Sequence, residues 1–471
     1  MKSPLGFVFV LLSFVTFSAA QTSEDLVGEW GGSIDMGAAK LRVEFTFEMT
    51  DGELAGTMKS PQQSDQSFPL SDIMLEGDQF TATIPAVAGT YTATLNTDPK
   101  KLAGTWEQLG NKLPLNLKPE KAQAPPKRPQ DPKPPFPYLS EEIEFENKSA
   151  NITLAGTLTL PKGDGPFPAA ILISGSGPQN RDEEIMGHRP FAVIADHLTR
   201  EGIAVLRYDD RGVGESEGDF GNATTKDFAT DANAAWEFLS THAKINKEAI
   251  GMIGHSEGGY IAPLAFVDNP KAAYHVYLAA PGLSLRVIAQ QQSKILLKQA
   301  GLSDEAITSA ITLNEELYAY YDAPDGSPFP VEEVSRRTKE WWEALSPEDK
   351  KKAEPFKTIQ ETNMGNAETP WTKFLMTYDP VPTLENVSCP VLALNGEKDT
   401  QVLPEPNLKK IEEALDKGGN KNVETHKIPN LNHLFQNAKT GAFTEYALIE
   451  ETFDIPTLEL ISSWILKTVG D

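Results

Sequence analysis

The sequence predicts a small all-β domain followed by a larger α/β domain whose sheet is largely parallel and carries an inserted helical cap. Three observations carry this. Residues 22 to 118 fall into short β-segments, residues 119 to 137 are dense in proline, and from about Glu142 strand-like and helix-like segments alternate to the C-terminus. At 471 residues and 39% hydrophobic content, the chain is long and apolar enough to bury more than one core.

The first residues, "MKSPLGFVFVLLSFVTFSAAQ", give a basic Lys2, an apolar run from Leu5 to Phe17, and small Ser18 and Ala20 before Gln21. This is the pattern of a secretory signal peptide, residues 1 to 20, cleaved after Ala20. The expectation is export to a periplasm or out of the cell. No later run reaches spanning length, so no membrane span is expected. The net charge of -25 argues against nucleic acid and anionic lipid as partners, since both demand a cationic footprint. Cys389 is the single cysteine, so no internal disulfide forms, and "SCPVLALNG" places it as a small buried hydrophobe. The seven histidines are scattered without zinc-site spacing, and neither metal nor cofactor is expected.

Within residues 21 to 118, "LRVEFTFEM" alternates with period two and puts Leu41, Val43, Phe45 and Phe47 on one face. A phrase recurs as "LVGEW" (26–30), "LAGTM" (54–58) and "LAGTW" (102–106), which suggests successive strands of a small antiparallel barrel or sandwich. Its expected role is that of an accessory domain. The stretch 119 to 138, "PEKAQAPPKRPQDPKPPFPY", has too much proline for helix or central strand and reads as an extended, semi-rigid linker.

The domain from 139 to 471 opens with the buried-strand run "AAILISGSG" (169–177), then helical "HRPFAVIADHLTREG" (188–202), then strand and loop "IAVLRYDDRGVGES" (203–216). A helix over 227–242, the strand "AIGMIG", a helix from about Tyr260 and the strands in 274–282 and 389–399 complete the alternation. Between the last two strands, about 283 to 380, the chain is helix-rich and tryptophan-bearing. It is too long for a crossover, and it reads as a cap over the sheet's carboxyl end.

"GHSEG" (254–258) fits G-x-S-x-G with a strand before it and a helix after it. So tight a turn excludes side chains at 254 and 258, strains Ser256 and exposes its Oγ as a nucleophile at the start of a helix. A serine hydroxyl needs a base and an orienting acid, in the chain order serine, acid, histidine. Downstream lie His275 and His426, both in strand-like runs, and His433 in the loop "PNLNHLF", which is the choice for the base. Asp399, at the tip of "VLALNGEKD", is the choice for the acid, with Glu397 its competitor. The oxyanion donors are expected to be the backbone N–H of Glu257 and that of Ser176, or of Gly177 one residue on. His255 is read as packing, and Arg211 in "YDDRGVGES" as an ion-pairing brace. Arg181, Asp182 and Glu183 are expected to pair among themselves; an unpaired carboxylate there would suit a substrate amine.

The phrases "GSGPQNRDE", "RYDDRGVGES", "GMIGHSEGG", "PWTKFLMTYDP", "CPVLALNGEKDTQV" and "NLNHLFQNAKTG" together span most of the second domain. In them the chain resembles the α/β-hydrolase superfamily, and within it the exported bacterial carboxylesterases near the serine aminopeptidase-like branch. The resemblance implies ester hydrolysis with Ser256 as nucleophile, Asp399 as acid and His433 as base. Ser174-Gly175 stands where many relatives carry His-Gly. The function expected is therefore a serine carboxylic ester hydrolase acting on a small-molecule ester through an acyl-enzyme. The alternatives are an aminopeptidase or dipeptidyl-peptidase-like amide hydrolase, and a secreted ligand-binding protein with an inactive hydrolase domain. An aspartate-nucleophile dehalogenase is excluded, because position 256 is not a carboxylate.

Overall fold

The computed structural model describes residues 22–35, 40–50, 52–61, 66–108, 111–121, 127–322 and 329–470. The signal-peptide stretch, residues 1 to 20, lies outside them. The chain divides into two compact units, the second beginning in the main at Pro125.

The first unit contains strands β1 (Gly28–Asp35), β2 (Lys40–Thr50), β3 (Glu53–Lys59), β4 (Ser67–Pro69), β5 (Ser71–Glu76), β6 (Gln79–Ile84), β7 (Gly89–Thr97), β8 (Lys100–Gln108) and β9 (Asn111–Pro119). Their order in the sheet is β4-β3-β2-β1-β9-β8-β7-β6-β5. The two edge strands, β4 and β5, are consecutive in the chain and separated by Leu70 alone, whose N–H continues the pairing onto Gly56 O at 2.9 Å. One bent strand thus closes the sheet, and the unit is an antiparallel barrel rather than a sandwich.

Ring contacts agree with closure. Phe45 on β2 and Tyr91 on β7 stand four strands apart in the sheet, about 19 Å if it were flat, yet their rings are 5.5 Å apart. Val43, Phe45 and Phe47 are buried, as the period-two pattern requires, while Leu41 is only partly covered. The recurring phrase sits on β1, β3 and β8, not on successive strands, and turns Trp30, Met58 and Trp106 into the same core. With Trp30, Phe45, Phe47, Phe80 and Tyr91 filling it, the interior is packed with side chains.

The second unit is built on strands β10 (Leu139–Asn147), β11 (Ile152–Leu160), β12 (Phe167–Ile173), β13 (Ala204–Tyr208), β14 (Ile245–His255), β15 (His275–Leu278), β16 (Val391–Gly396) and β17 (Val423–Ile428), in the order β10-β11-β13-β12-β14-β15-β16-β17. β10 and β11 pair antiparallel, and the strands from β13 onward in that order are parallel. Helices α1 (Pro190–Arg200), α2 (Thr225–Thr241) and α3 (Gly258–Asp268) follow β12, β13 and β14.

Both faces are covered. Ala169, Ile171 and Ile173 of β12 face the core shared with α2 and α3, and Ala170 and Leu172 face the one shared with α1, so the strand reads as continuously apolar. α2 opens with a capping box in which Thr224 and Asp227 exchange hydrogen bonds, which fixes where the helix starts.

The cap between β15 and β16 consists of α4 (Leu285–Gln299), α5 (Asp304–Tyr318), α6 (Val331–Ala344), α7 (Pro347–Asn366), α8 (Pro370–Thr377) and the single turn α9 (Val381–Leu384), and it has its own core around Leu313, Val334, Trp341 and Phe356. The sheet is completed by α10 (Pro404–Lys417), between β16 and β17, and by α11 (Ile455–Gly470). Among the described residues no helix is long and apolar enough to cross a membrane.

From residue 127 the proline-rich stretch is not a free spacer. Arg128 donates to the carbonyls of Ala447 (2.9 Å) and Ile449 (2.8 Å). Gln130 is held by the backbone of Thr452 (2.6 Å) and Phe453 (3.0 Å). Proline density removes regular structure but says nothing of the polar side chains between the prolines, and those anchor the segment to the second unit.

Candidate active site

The site lies at the carboxyl ends of β12, β14 and β16. β14 ends at His255 and α3 begins at Gly258, leaving two residues for the turn. Ser256 there has φ +52, in the left-handed region that costs a non-glycine residue roughly 1–2 kcal/mol. The conformation is held by Ser256 N–H donating to Leu278 O (2.9 Å) and Ser256 O accepting from Gly259 N–H (2.8 Å). A Cβ at Gly254 would overlap the Gly258 carbonyl, and one at Gly258 would overlap that of Ile173, so both positions require glycine. α3 then directs its N-terminal N–H groups and dipole toward the space before it.

Asp399, on the loop after β16, is buried. Its Oδ1 accepts the N–H groups of Gln401 (2.8 Å) and Val402 (2.9 Å), which leaves Oδ2 for His433 Nδ1 at 2.7 Å. A carboxylate on Nδ1 fixes the proton there and leaves Nε2 as the acceptor. His433 and Ser256 line one cavity of about 290 Å³. Glu397 is exposed and accepts Asn430 N–H at 3.1 Å. His426 on β17 pairs with Glu424 at 2.7 Å, and His275 is buried in β15 against Tyr277 OH at 2.9 Å.

Ser176 and Glu257 line the same cavity. Among the described residues neither backbone N–H has a protein acceptor, whereas Gly175 N–H is spent on Glu183 Oε1 at 2.7 Å. The loop is held from beneath by the "DDR" residues. Asp210 accepts Ser174 Oγ (2.7 Å) and Gln179 N–H (2.9 Å), and burial pushes its carboxyl up to about 7 against the pull of those bonds. Asp209 binds Arg181 at 2.7 Å, and Arg211 grips Asp231 at 2.7 and 2.8 Å. Arg181, Asp182 and Glu183 therefore do not pair among themselves: Asp182 takes Arg189 and Arg207, and Glu183 takes His255.

Two features escaped the sequence reading. His255 does more than pack: Nδ1 meets Glu183 Oε1 at 2.9 Å and Nε2 meets the His433 carbonyl at 3.1 Å. A carbonyl and a carboxylate are both acceptors, an arrangement that favours the ring with hydrogen on both nitrogens, the imidazolium. Burial opposes that charge, but the Glu183 carboxylate, the His433 carbonyl and the Asp399 charge together raise the His255 value. His255 thus ties the oxyanion loop to the loop of His433.

The Glu257 side chain is the second. It is buried and accepts Ser176 Oγ (2.7 Å), Thr225 Oγ1 (2.7 Å) and Trp371 Nε1 (2.9 and 3.0 Å), joining the oxyanion loop, α2 and the cap. Burial raises its carboxyl against these three donors. The available signal was a titratable residue at each variable position of an elbow set in an apolar run, where each must find a partner. Cys389 is buried, and its thiol is pushed up to about 12 by that burial, so it is inert.

Comparison with known proteins finds hydrolases. Residues 188–324 match the family described as serine aminopeptidase, S33, and residues 345–454 match the prolyl oligopeptidase family. The chain is similar to the esterase EstD of Thermotoga maritima, 26% identical over 335 residues, which cover 70% of this chain and 69% of that protein. Among solved structures, the Pyrococcus furiosus esterase Pf2001 aligns with TM-score 0.40 at 16% identity over 70% of this chain and 92% of its own. Est1E of Butyrivibrio proteoclasticus, solved with ferulic acid, aligns with TM-score 0.39 at 19% identity over 70% of this chain and all 100% of its own.

Proposed function

The chain is an α/β hydrolase close to the serine aminopeptidase and prolyl oligopeptidase branch, a serine hydrolase, and on that premise we propose that it is an exported carboxylesterase working through a Ser256–His433–Asp399 triad. Ser256 Oγ attacks the ester carbonyl as His433 Nε2 takes its proton, and Asp399 orients and stabilises the resulting imidazolium. The N–H groups of Ser176 and Glu257 receive the oxyanion. His433 returns the proton to the leaving alkoxide, and water repeats the sequence on the acyl-enzyme to release the acid.

The observation that carries this is the 2.7 Å bond from His433 Nδ1 to a buried carboxylate, with the same histidine lining Ser256's cavity. Ester rather than peptide chemistry is supported by the carboxylates of that cavity. Among the described residues Glu183 and Glu257 are its only ones, and each already holds donors of the protein itself, so neither is set aside for a substrate ammonium.

The test is initial rates on p-nitrophenyl esters and on aminoacyl p-nitroanilides, with Ser256→Ala alongside. Ester turnover abolished in the variant is the expected result, and anilide turnover with weak ester turnover would move the chain to the peptidases. Export is checked by N-terminal sequencing of the protein from its native host, which should begin at Gln21.

A further inference from the structure

We propose that a chamber inside the cap, with no charged side chain among its described lining residues, receives a long hydrocarbon arm of the substrate, which passes beside Trp371, the partition it shares with the catalytic cavity; this rests on the esterase reading above. The chamber has a volume of about 240 Å³ and is walled by Leu285, Ala289, Leu317, Phe329, Val334 and Met364, among others. None of the described residues lining it is Asp, Glu, Lys or Arg, in a chain that is 23% charged. It meets the catalytic cavity along Leu285, Gln292 and Trp371, which line both spaces.

The partition is fixed in place. Trp371 Nε1 donates to both Glu257 oxygens at 2.9 and 3.0 Å, so its indole is pinned to the residue after the nucleophile. Gln292 Nε2 donates to Gln401 O at 2.9 Å, tying the other side of the junction to the loop that carries Asp399. Of the chamber's polar side chains, Gln360 is engaged with Asn314 at 2.7 Å and Tyr321 with Ala367 O at 3.2 Å. A charged arm entering such a space would lose its hydration for nothing, whereas a hydrocarbon arm gains on entry. The substrate class is therefore an ester with one long, uncharged aliphatic arm, which is either the acyl chain or the alkoxy chain.

Two ester series distinguish these sources: p-nitrophenyl acetate, butyrate and octanoate vary the acyl arm, and the acetates of ethanol, butanol and octanol vary the alkoxy arm. In one series kcat/KM should rise roughly tenfold or more from the shortest to the longest member. Ala289 lines the chamber but not the catalytic cavity. Ala289→Phe, or Met364→Trp from the facing wall should the first fail to fold, should cut the long-to-short ratio in that series at least tenfold. Inhibition by methylboronic and octylboronic acid repeats the comparison on the wild-type chain, and the octyl compound should bind at least tenfold tighter. Flat profiles, a ratio unmoved in a folded variant, or equal inhibition would overturn the chamber while Ser256-dependent acetate turnover leaves the esterase reading standing. Absence of Ser256-dependent turnover on every ester would overturn both.

Discussion

The interiors of the two units are made of different matter. Inside the barrel, Phe45, Phe47, Phe80 and Tyr91 pack ring against ring beside the buried Trp30, and Tyr91 OH satisfies itself on the carbonyls of Leu102 and Leu115, both at 3.1 Å. Inside the α/β unit, around the elbow, the buried set includes Glu183, Asp210, His255, Glu257, Asp399 and His433. An aromatic core contributes burial free energy and little else. A core holding carboxylates and imidazoles gives up part of that contribution to desolvation, and recovers it only where every charge meets a donor. The barrel is built for its own stability, and the second unit trades stability for chemistry at one end of its sheet.

The sharpest break between the two comes from paired substitutions. Asp399→Asn should lower kcat roughly 10⁴-fold, because the amide favours the wrong tautomer of His433, while the melting temperature moves little. Trp30→Ala should do the reverse, removing about 3–5 kcal/mol of barrel stability in denaturant melts with kcat/KM on p-nitrophenyl acetate retained.

A finer cut is His255→Asn, which loses the brace between the oxyanion and histidine loops. A fall in kcat of about 10- to 100-fold with little change in KM is expected, in line with about 1–3 kcal/mol for a buried charged hydrogen bond. Its pH dependence has a definite sign. The folded-state value of His255 is raised, so the stability it contributes is fully present below the ordinary histidine range, about 6.5, and is lost as pH rises through the raised value. The melting difference between wild type and His255→Asn should accordingly be larger at pH 6 than at pH 9. An equal difference at both would remove the imidazolium.

The smallest effect concerns the segment before β10. A chain starting at Pro125 keeps Arg128 and Gln130 on the carbonyls and amides of residues 447–453, and one starting at Tyr138 does not. Both should fold, and the shorter should be less stable by roughly 1–2 kcal/mol.

What the sequence disclosed and what it withheld follow from the range of the interactions. The elbow was readable because steric exclusion at Gly254 acts against Gly258, within five residues of chain, and the strands β2 and β12 because burial leaves a local mark, a period of two in the first and an unbroken apolar run in the second. Asp399 and His433 were legible as residues at the tip of a strand and on the loop after one. The Trp371 bond to Glu257 joins positions 114 apart, and the Glu183 bond to His255 joins positions 72 apart; neither leaves a periodic trace. Closure of the barrel was equally hidden, since no local pattern says that one residue, Leu70, stands between two sheet edges.

That closure has a consequence of its own. A sheet with open borders offers unpaired amides and carbonyls as a template on which another chain can add a strand, and natural β-proteins spend charges, prolines and bulges to prevent it. Here the bent strand running from Ser67 through Leu70 to Glu76 turns both borders inward on each other. The unit needs no such defences along those borders, and a closed module of this kind can precede a catalytic unit in the chain without seeding aggregation.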